Sequence, residues 1–294
     1  MTRSVKKVSE WRGSQLAEFI GFFMLRIAVY SVLFILLYFF YDISSQGYKV
    51  ISWEFLSQAP RRGMTEGGIF PAIVGTFLVT LITAIFAVPL GMAAAIYLNE
   101  YARAGRLTRL IRLSIRNLAG VPSIVYGLFG VILFVNIMKF GTSVLSAGLT
   151  LGLLTLPWTI TASEEALKSV PDAYREGALA LGATRWQMIR TNVLPYAIPG
   201  MLTGAVLGLA RAAGETAPIM FTGAAFYLPY IPQSLKDQFM ALPYHLYIMA
   251  TQHHAIDRAR ELAYGTALVL IAFIILFNLG AILIRSRLRK KWRH

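Results

Sequence analysis

The chain has 294 residues, of which 56% are hydrophobic and only 14% are charged. Soluble domains carry about 25% charged residues, so this composition excludes a soluble globular protein and indicates an integral membrane protein. The sequence contains no cysteine, which excludes disulfides, thiolate metal sites and cysteine nucleophiles. Its 28 lysines and arginines outnumber 14 aspartates and glutamates, an excess that requires either an acidic partner or an explanation from topology.

Six stretches are long and apolar enough to cross a membrane, which takes about 20 residues in a helix. They occupy residues 19–41, 69–98, 117–138, 143–162, 196–222 and 262–284. The alternating pattern of a membrane β-barrel is absent, so the spans are predicted to be helices. We therefore predict an all-α integral membrane protein, a bundle of six transmembrane helices.

The predicted spans divide the chain into three parts. Residues 1–68 hold a basic tail, the first span and an external loop, and they look like an addition to a denser membrane domain at 69–285. A basic tail follows at 286–294. No small-residue cleavage site follows the first span, so we interpret that span as a retained signal anchor.

The basic residues predict the orientation in the membrane. Nineteen of them fall in the N-terminal tail, the loops 99–116 and 163–195, and the C-terminal tail, whereas seven fall on the opposite side. Because cytoplasmic loops are rich in lysine and arginine, both termini are predicted to be cytoplasmic. Topology thus explains the positive charge, which gives no reason to expect nucleic-acid binding.

The sequence lacks the motifs of common catalytic sites. It has no phosphate-binding G-x-x-x-x-G-K-[ST] loop, no H-E-x-x-H and no G-x-S-x-G. His245, His253 and His254 fall in the external loop 223–261, where the adjacent His253 and His254 could bind a metal. We favour ordinary polar loop histidines, and we expect no catalytic residue, no bound metal and no enzymatic activity.

The cytoplasmic loop 163–195 contains the clearest local signals. Pro171 and Asp172 suit the start of a short helix, and Gly182 suits its end because glycine readily adopts the left-handed conformation. Two interpretations remain open: the helix packs on its own bundle, or it offers a partner a surface of small side chains. That face would hold Ala173, Gly177, Ala178 and Leu181.

A spaced pattern in this loop resembles that of a known family. Glu176, Gly177 and Ala178 are followed after three residues by Gly182, and after nine more by residues 192–195 (NVLP), ending at Pro195. This resembles the EAA loop of permeases in ATP-binding-cassette importers, whose pattern is E-A-A, three residues, G, nine residues and I-x-L-P. Two positions depart from it: Gly177 replaces the first Ala, which keeps the surface small but weakens the helix, and Asn192 replaces the Ile, which removes an apolar anchor.

The resemblance implies a fold, a role for the loop and partners. The fold would be that of a type I importer permease. The loop would form a coupling helix that docks into an ATPase subunit, with the coupling role carried over to Glu176, Gly177, Ala178, Gly182 and Pro195. ATP and Mg²⁺ would be bound by the partner ATPase, and this chain would bind no cofactor.

The fifth predicted span combines small and charged residues. Gly200, Gly204 and Gly208 form a ridge that allows close helix packing, and at about 100° per residue Arg211 and Glu215 fall on the same face. Both charges are therefore predicted to point into protein rather than lipid. An internal ion pair would explain them; we favour a substrate pathway in which Glu215 holds the Arg211 guanidinium toward an oxyanion.

Three strings are similar to the phosphate branch of these importers: residues 211–218 (RAAGETAP), 120–127 (GVPSIVYG) and 157–159 (PWT). The resemblance implies a permease for inorganic phosphate in the bacterial cytoplasmic membrane. Its partners would be a second, related permease, two ATPase subunits and a periplasmic phosphate-binding protein. The alternatives are a permease for another oxyanion, such as sulfate or phosphonate, and a proton-driven secondary transporter, for which no convincing inverted repeat is found.

Overall fold

The computed structural model describes residues 2–252 and 256–291, which are predominantly helical. Within these ranges the helices are α1 (Thr2–Gly47), α2 (Trp53–Ser57), α3 (Phe70–Ile96), α4 (Arg106–Leu118), α5 (Ser123–Gly130), α6 (Val144–Lys168), α7 (Asp172–Ala180), α8 (Arg185–Met188), α9 (Leu194–Ala213), α10 (Ala217–Thr222), α11 (Leu242–Thr251) and α12 (Ile256–Lys291). Wider π-helical turns extend α3 (Tyr97–Tyr101), extend α5 (Val131–Ile137) and join α8 to α9 (Ile189–Val193). Strands β1 (Pro60–Arg61) and β2 (Glu66–Gly67) pair antiparallel around a 3₁₀ turn (Arg62–Met64).

Five helical stretches in the described ranges are long and apolar enough to cross a membrane: Ala17–Gly47, Phe70–Tyr101, Val144–Lys168, Arg185–Ala213 and Ala259–Arg287. A sixth candidate is a bent pair of helices, Arg106–Leu118 and Ser123–Ile137, which meet at an angle of 103°; the second helix of the pair lies within the predicted span 117–138. These stretches correspond in order to the six predicted spans and confirm the all-α membrane fold.

Two predicted spans have the wrong boundaries. The predicted span 117–138 begins too early, because residues 117 and 118 still belong to α4 and the chain turns sharply before α5. Pro122 lies at that turn with φ −57° and ψ 140°, outside the helical region. The predicted span 196–222 is also interrupted: α9 ends at Ala213 and α10 starts at Ala217.

The centre of the bundle is formed by α3, α6 and α9. Small residues let α3 and α6 approach closely: a Cβ added at Gly148 would lie 2.5 Å from Ile82, and one added at Gly152 would lie 2.5 Å from Phe86. The Thr83 hydroxyl donates across this interface to the carbonyl of Gly148 at 3.1 Å. Helix α6 therefore packs against both α3 and α9, which also contact each other.

Helix α1 lies apart from this centre. Its side chains between residues 17 and 41 are exposed, and it contacts α12 near its end, where a Cβ at Gly47 would lie 2.7 Å from the carbonyl oxygen of Tyr264. The exposed apolar length suits lipid contact. The division of the chain at residue 68 stays a prediction.

The external side is closed by α2, the β-hairpin and α11, whose apolar side chains pack together around Phe55, Met240 and Leu242. The prediction that His245 belongs to a loop is wrong, because it lies on α11 with 3% of its surface exposed. Helix formation here starts after Ala241 and is favoured by Pro243 in the first turn. His253 and His254 lie outside the described residues.

Candidate functional site

The glycine ridge of α9 faces α6 along its whole length. A Cβ added at Gly200 would lie 2.8 Å from the Cβ of Ala166, and one at Gly208 would lie 3.0 Å from Thr155 Cγ2. Between them, a Cβ at Gly204 would collide with Ala162. The three glycines predicted for helix packing thus lie in a single contact with α6, and their small size sets the distance between the two helices.

This packing ends at a break in the fifth span. Gly214 donates its N–H to the carbonyl of Arg211 at 3.0 Å, and Glu215 donates to Ala212 at 3.2 Å, so the helix tightens and stops. Pro218 then lies in the first turn of α10. Proline has no N–H to continue the previous helix and disfavours a helical residue before it, which explains why an uninterrupted span was a wrong expectation.

Arg211 and Glu215 lie on the two sides of that break rather than on one continuous helix. Arg211 is in the last turn of α9, and its Nε lies 3.4 Å from Glu215 Oε1. The guanidinium carbon lies 5.2 Å from the centre of the Trp158 ring on α6, a cation–π distance. Glu215 thus contacts one edge of the guanidinium, and the Trp158 ring covers one of its faces.

The two charged side chains differ in exposure. Glu215 has 16% of its side chain exposed, whereas Arg211 has 51% exposed. Arg211 lies against Trp158 with one face of its guanidinium and is half-exposed in this chain, so the expectation that both charges point into protein stays a prediction for Arg211. The remaining N–H donors are open, and a guanidinium presents a fork that matches the oxygens of a tetrahedral oxyanion.

The predicted coupling helix is present as α7. Gly182 has φ +82°, the left-handed conformation expected after a helix end, and Ala183 donates back to the carbonyl of Ala178 at 3.1 Å. The backbone of Leu181 closes the helix by donating to the carbonyl of Gly177 at 3.3 Å. The loop is thus a short, well-terminated helix.

The two faces of α7 have different surroundings. Ala178 is buried in an apolar cluster beneath the helix, whereas Glu176 and Gly177 are exposed, and a Cβ at Gly177 or Gly182 would meet nothing within 4 Å. The predicted common face is therefore wrong, since Leu181 is 91% exposed while Ala178 points inward. One face packs on the bundle, as the first interpretation predicts, and the other is exposed in this chain; that the exposed face meets a partner stays a prediction.

The apolar contact that holds the loop on the bundle is not made at position 192, where the family pattern has isoleucine. Asn192 stays partly exposed and interacts with the neighbouring Thr191 hydroxyl at 2.6 Å. Ile189 and Val193, both fully buried, supply the apolar contact instead, and Pro195 is buried in the first turn of α9. The π-helical turn Ile189–Val193 places both side chains in the cluster.

An arginine that the sequence reasoning treated only as a topological charge attaches α7 to the bundle. Arg175 donates to both oxygens of Glu100, Nη2 at 2.9 Å and Nε at 3.3 Å. It also donates to the carbonyls of Leu167 at 2.9 Å and Val170 at 2.7 Å, at the end of α6. We call Arg175 and Glu100 the cytoplasmic clamp.

The cytoplasmic clamp is buried. Arg175 has 15% and Glu100 4% of its side chain exposed. The hydrogen bond with Glu100 raises the pKa of the Arg175 guanidinium above its ordinary value, so the arginine keeps its charge across the physiological pH range. The signal available in the sequence was Glu100, the one acidic residue in the basic loop 99–116.

A second ion pair lies beside the clamp. Arg112 on α4 has its Nε 3.2 Å from Glu164 Oε1 on α6, and its Nη2 donates to the carbonyl of Leu98 at 2.7 Å. Glu164 is 10% exposed at its side chain. These contacts fix the rotation of α4 against the bundle, and sequence reasoning did not identify them because Arg112 and Glu164 are 52 positions apart.

Within residues 2–252 and 256–291 no group of three or more histidine, cysteine, aspartate or glutamate side chains could hold a metal ion. The charged groups described above are instead arginine–glutamate pairs. They form two separate features: a half-open arginine at a helix break and a buried clamp at the cytoplasmic end.

Comparison with known proteins places this geometry in a family. Residues 87–294 match the family described as binding-protein-dependent transport system inner membrane component. The chain is 39% identical over 220 residues to the phosphate transport system permease protein PstA 1 of Mycobacterium tuberculosis, covering 74% of this chain and 71% of that protein. It is 31% identical over 282 residues to the probable ABC transporter permease protein YqgI of Bacillus subtilis, covering 92% and 95%.

Solved structures show the same fold at lower identity. A bacterial alginate ABC transporter, in complex with its alginate pentasaccharide-bound periplasmic protein, matches with a TM-score of 0.67 and 16% identity over 92% of this chain and 96% of that one. The MetNI methionine ABC transporter, in an inward-facing conformation, matches with 0.60 and 18% over 74% and 94%. The chain therefore belongs to the family of binding-protein-dependent transport system inner membrane components, multi-pass permeases of ABC importers with the type I fold.

Proposed function

We propose that this chain is the permease subunit that carries inorganic phosphate through an ATP-driven importer of the bacterial inner membrane. The observation that carries the proposal is the half-exposed guanidinium of Arg211 at a break in a membrane span, held by Glu215 and Trp158. The similarity to proteins named phosphate transport system permease PstA supports the choice of substrate.

The break has the physical properties that an oxyanion site requires. A charge inside a membrane is costly and is retained where it serves a pathway. Glu215 and the Trp158 ring orient the arginine in advance, so that little reorganisation accompanies the approach of an anion. The open donors of Arg211 would bind the substrate transiently, and the nearby carboxylate of Glu215 would keep that binding weak enough for release.

The cytoplasmic end would couple this site to ATP hydrolysis. The open face of α7, with Glu176, Gly177 and the turn at Gly182, would dock on an ATPase subunit. The inner face, attached through Arg175 to Glu100, would pass the movement of that subunit to α3 and α6. The chain itself binds no ATP in this scheme; ATP and Mg²⁺ belong to the ATPase.

The proposed assembly contains four kinds of component in addition to the lipid membrane. A second, related permease (PstC-like) pairs with this chain, two ATPase subunits (PstB-like) bind beneath the membrane, and a periplasmic phosphate-binding protein (PstS-like) docks on the external side. The external face formed by α2, the hairpin and α11 is the surface that this binding protein would contact.

Uptake of radiolabelled phosphate into proteoliposomes holding the complete transporter tests this function. We expect uptake that requires ATP and the loaded binding protein and that excess sulfate does not suppress. Transport of sulfate or phosphonate in place of phosphate would contradict the substrate and retain the importer. Uptake that persists without the ATPase subunits would contradict the importer itself and favour a proton-driven transporter.

A further inference from the structure

Helix α4 is a strongly basic helix with no acidic residue. Its thirteen residues include Arg106, Arg109, Arg112 and Arg116, and none of its residues is buried. At about 100° per residue the four arginines fall within one third of the circumference, which they share with Leu113, and the other leucines and isoleucines lie outside it. This is the pattern of a helix that lies between an apolar medium and a charged one.

The direction of α4 is set by the span that follows it. The two helices meet at 103°. When the second helix crosses the bilayer, α4 lies nearly parallel to the membrane surface. The chain enters α4 from the cytoplasmic end of α3, close to the clamp residue Glu100. Helix α4 therefore lies along the cytoplasmic surface of the membrane.

The rotation of α4 about its own axis is set by its contacts with the bundle. Ile115 packs on the apolar cluster, and Arg112 pairs with Glu164. At about 100° per residue, Leu107 and Leu118 lie roughly a quarter turn from this contact in one direction, Arg109 and Arg116 lie roughly a quarter turn in the other, and Leu110 lies nearly opposite the contact. The apolar and basic arcs thus point to opposite sides of the membrane surface.

Neither arc is covered by the described part of the chain. Leu107 is 71% exposed, Leu110 59% and Leu118 46%, and Arg106, Arg109 and Arg116 are exposed as well. A lipid surface supplies both complements at once, because acyl chains accept the leucines while phosphates lie at the level reached by arginine side chains.

We propose that α4 binds anionic phospholipids of the cytoplasmic leaflet. The headgroup phosphates contact Arg106, Arg109 and Arg116, and the apolar arc inserts between the acyl chains. Because Arg112 joins α4 to α6 next to the clamp, bound lipid steadies the cytoplasmic end of the bundle. This inference is independent of the transported substrate.

Site-directed labelling tests the proposal directly, because the chain contains no cysteine. A bimane fluorophore on Leu110→Cys is reconstituted with phospholipids brominated near the headgroup end of their acyl chains, either phosphatidylglycerol or phosphatidylcholine. We expect quenching by both lipids and about tenfold tighter association of phosphatidylglycerol. Equal association of the two lipids, or no quenching by either, would overturn the proposal.

A charge variant and a matched control show whether the arginines cause the preference. The variant replaces three residues on α4, Arg106→Gln, Arg109→Gln and Arg116→Gln. The control removes the same charge from exposed external positions, Lys49→Gln, Arg61→Gln and Lys236→Gln. We expect the preference to fall to near unity in the variant and to persist in the control; a preference that survives in the variant contradicts the proposal.

Two further arms identify the occupant. The same measurement on the complete transporter shows whether a protein covers the helix: loss of lipid quenching on assembly would assign the apolar arc to a partner subunit and overturn the proposal. Inorganic phosphate, compared with chloride at equal ionic strength, tests free anion binding. Selective displacement of phosphatidylglycerol by phosphate would assign the arginines to the free anion instead.

Discussion

Two arginines of the chain, Arg175 on α7 and Arg211 in the last turn of α9, pair with glutamates in opposite ways. At the cytoplasmic end, Arg175 makes four hydrogen bonds to Glu100 and to two carbonyls of the α6 end, and its side chain is 15% exposed. At the membrane break, Arg211 contacts Glu215 at 3.4 Å and is 51% exposed. A buried arginine whose N–H donors are bonded within the protein connects parts of the fold, whereas a half-exposed arginine with one such bond keeps N–H donors for a ligand.

In the proposed mechanism, Arg211 contacts the substrate and Arg175 transmits the movement of the ATPase subunit. Removing one partner of a buried pair leaves an uncompensated charge and is costly, while loosely paired exposed groups contribute little to stability. Changes at Arg211 should therefore affect transport and spare the fold. Changes at Arg175 should affect the fold locally and the transmission of movement, so the two sites can be told apart by measuring stability together with uptake.

The largest effect is expected for Arg211→Ala. Loss of a charge-assisted contact to the substrate should lower phosphate uptake about a hundredfold, while the midpoint of thermal unfolding stays nearly unchanged. Arg211→Lys should recover part of the uptake, because it restores the charge without the planar fork. Normal uptake by Arg211→Ala would show that the open arginine is not part of the pathway.

A second large effect is expected for Arg175→Ala, in stability and coupling. We expect the free energy of unfolding to fall by about 3 kcal/mol, because Glu100 is left buried without its partner. ATP hydrolysis by the complete transporter should continue with less phosphate moved per ATP. Arg185→Ala is the matched control, since this exposed arginine lies 5.8 Å from the Tyr101 ring outside the clamp; equal losses in both variants would contradict a special role for the clamp.

The three glycines of α9 that face α6 should tolerate no added volume. Gly204→Ala places a methyl group against Ala162, and overpacking of this kind costs about 1–3 kcal/mol. Thermal unfolding of the purified chain in detergent measures the loss. The double change with Ala162→Gly should recover much of the stability, and a failure to do so would show that the glycine serves something other than contact with α6.

The smallest effect is expected on the open face of the coupling helix, and it has the opposite sign. A Cβ at Gly177 meets nothing within 4 Å, so Gly177→Ala should stabilise α7 by about 0.5–1 kcal/mol through helix propensity. Phosphate uptake should be unchanged, because alanine stands at this position in the family pattern. A loss of uptake in a stabilised variant would show that the docking surface requires glycine itself.

Much of this architecture could be predicted from composition and spacing. Length and hydrophobicity identify the spans, because a helix must satisfy its backbone in lipid, and Pro171, Asp172 and Gly182 predict the short helix α7. The break after Ala213 was missed because hydropathy continues through it. Its signal is local: Pro218 cannot continue the hydrogen bonding of the preceding helix.

The contacts that distinguish the two arginines could not be predicted from one sequence. Glu100 and Arg175 are 75 positions apart, and Arg112 and Glu164 are 52 apart, so their pairing depends on how α3, α4, α6 and α7 pack. A positive charge counted for topology and one that forms a clamp look alike in the sequence. Exposure separates them, and exposure follows from tertiary packing.

Chemical restoration of the charge at position 211 tests the central claim most directly. Arg211→Cys introduces the only thiol in this chain, which can be modified with a reagent that adds a cationic aminoethyl group or with one that adds a neutral hydroxyethyl group. We expect phosphate uptake to be lost in the variant and regained in part only after aminoethylation, with the unmodified parent transporter treated alongside to show the effect of reagent on the other subunits. Equal recovery with both reagents, or undiminished uptake before any modification, would contradict the claim that an open positive charge at this break meets the transported anion.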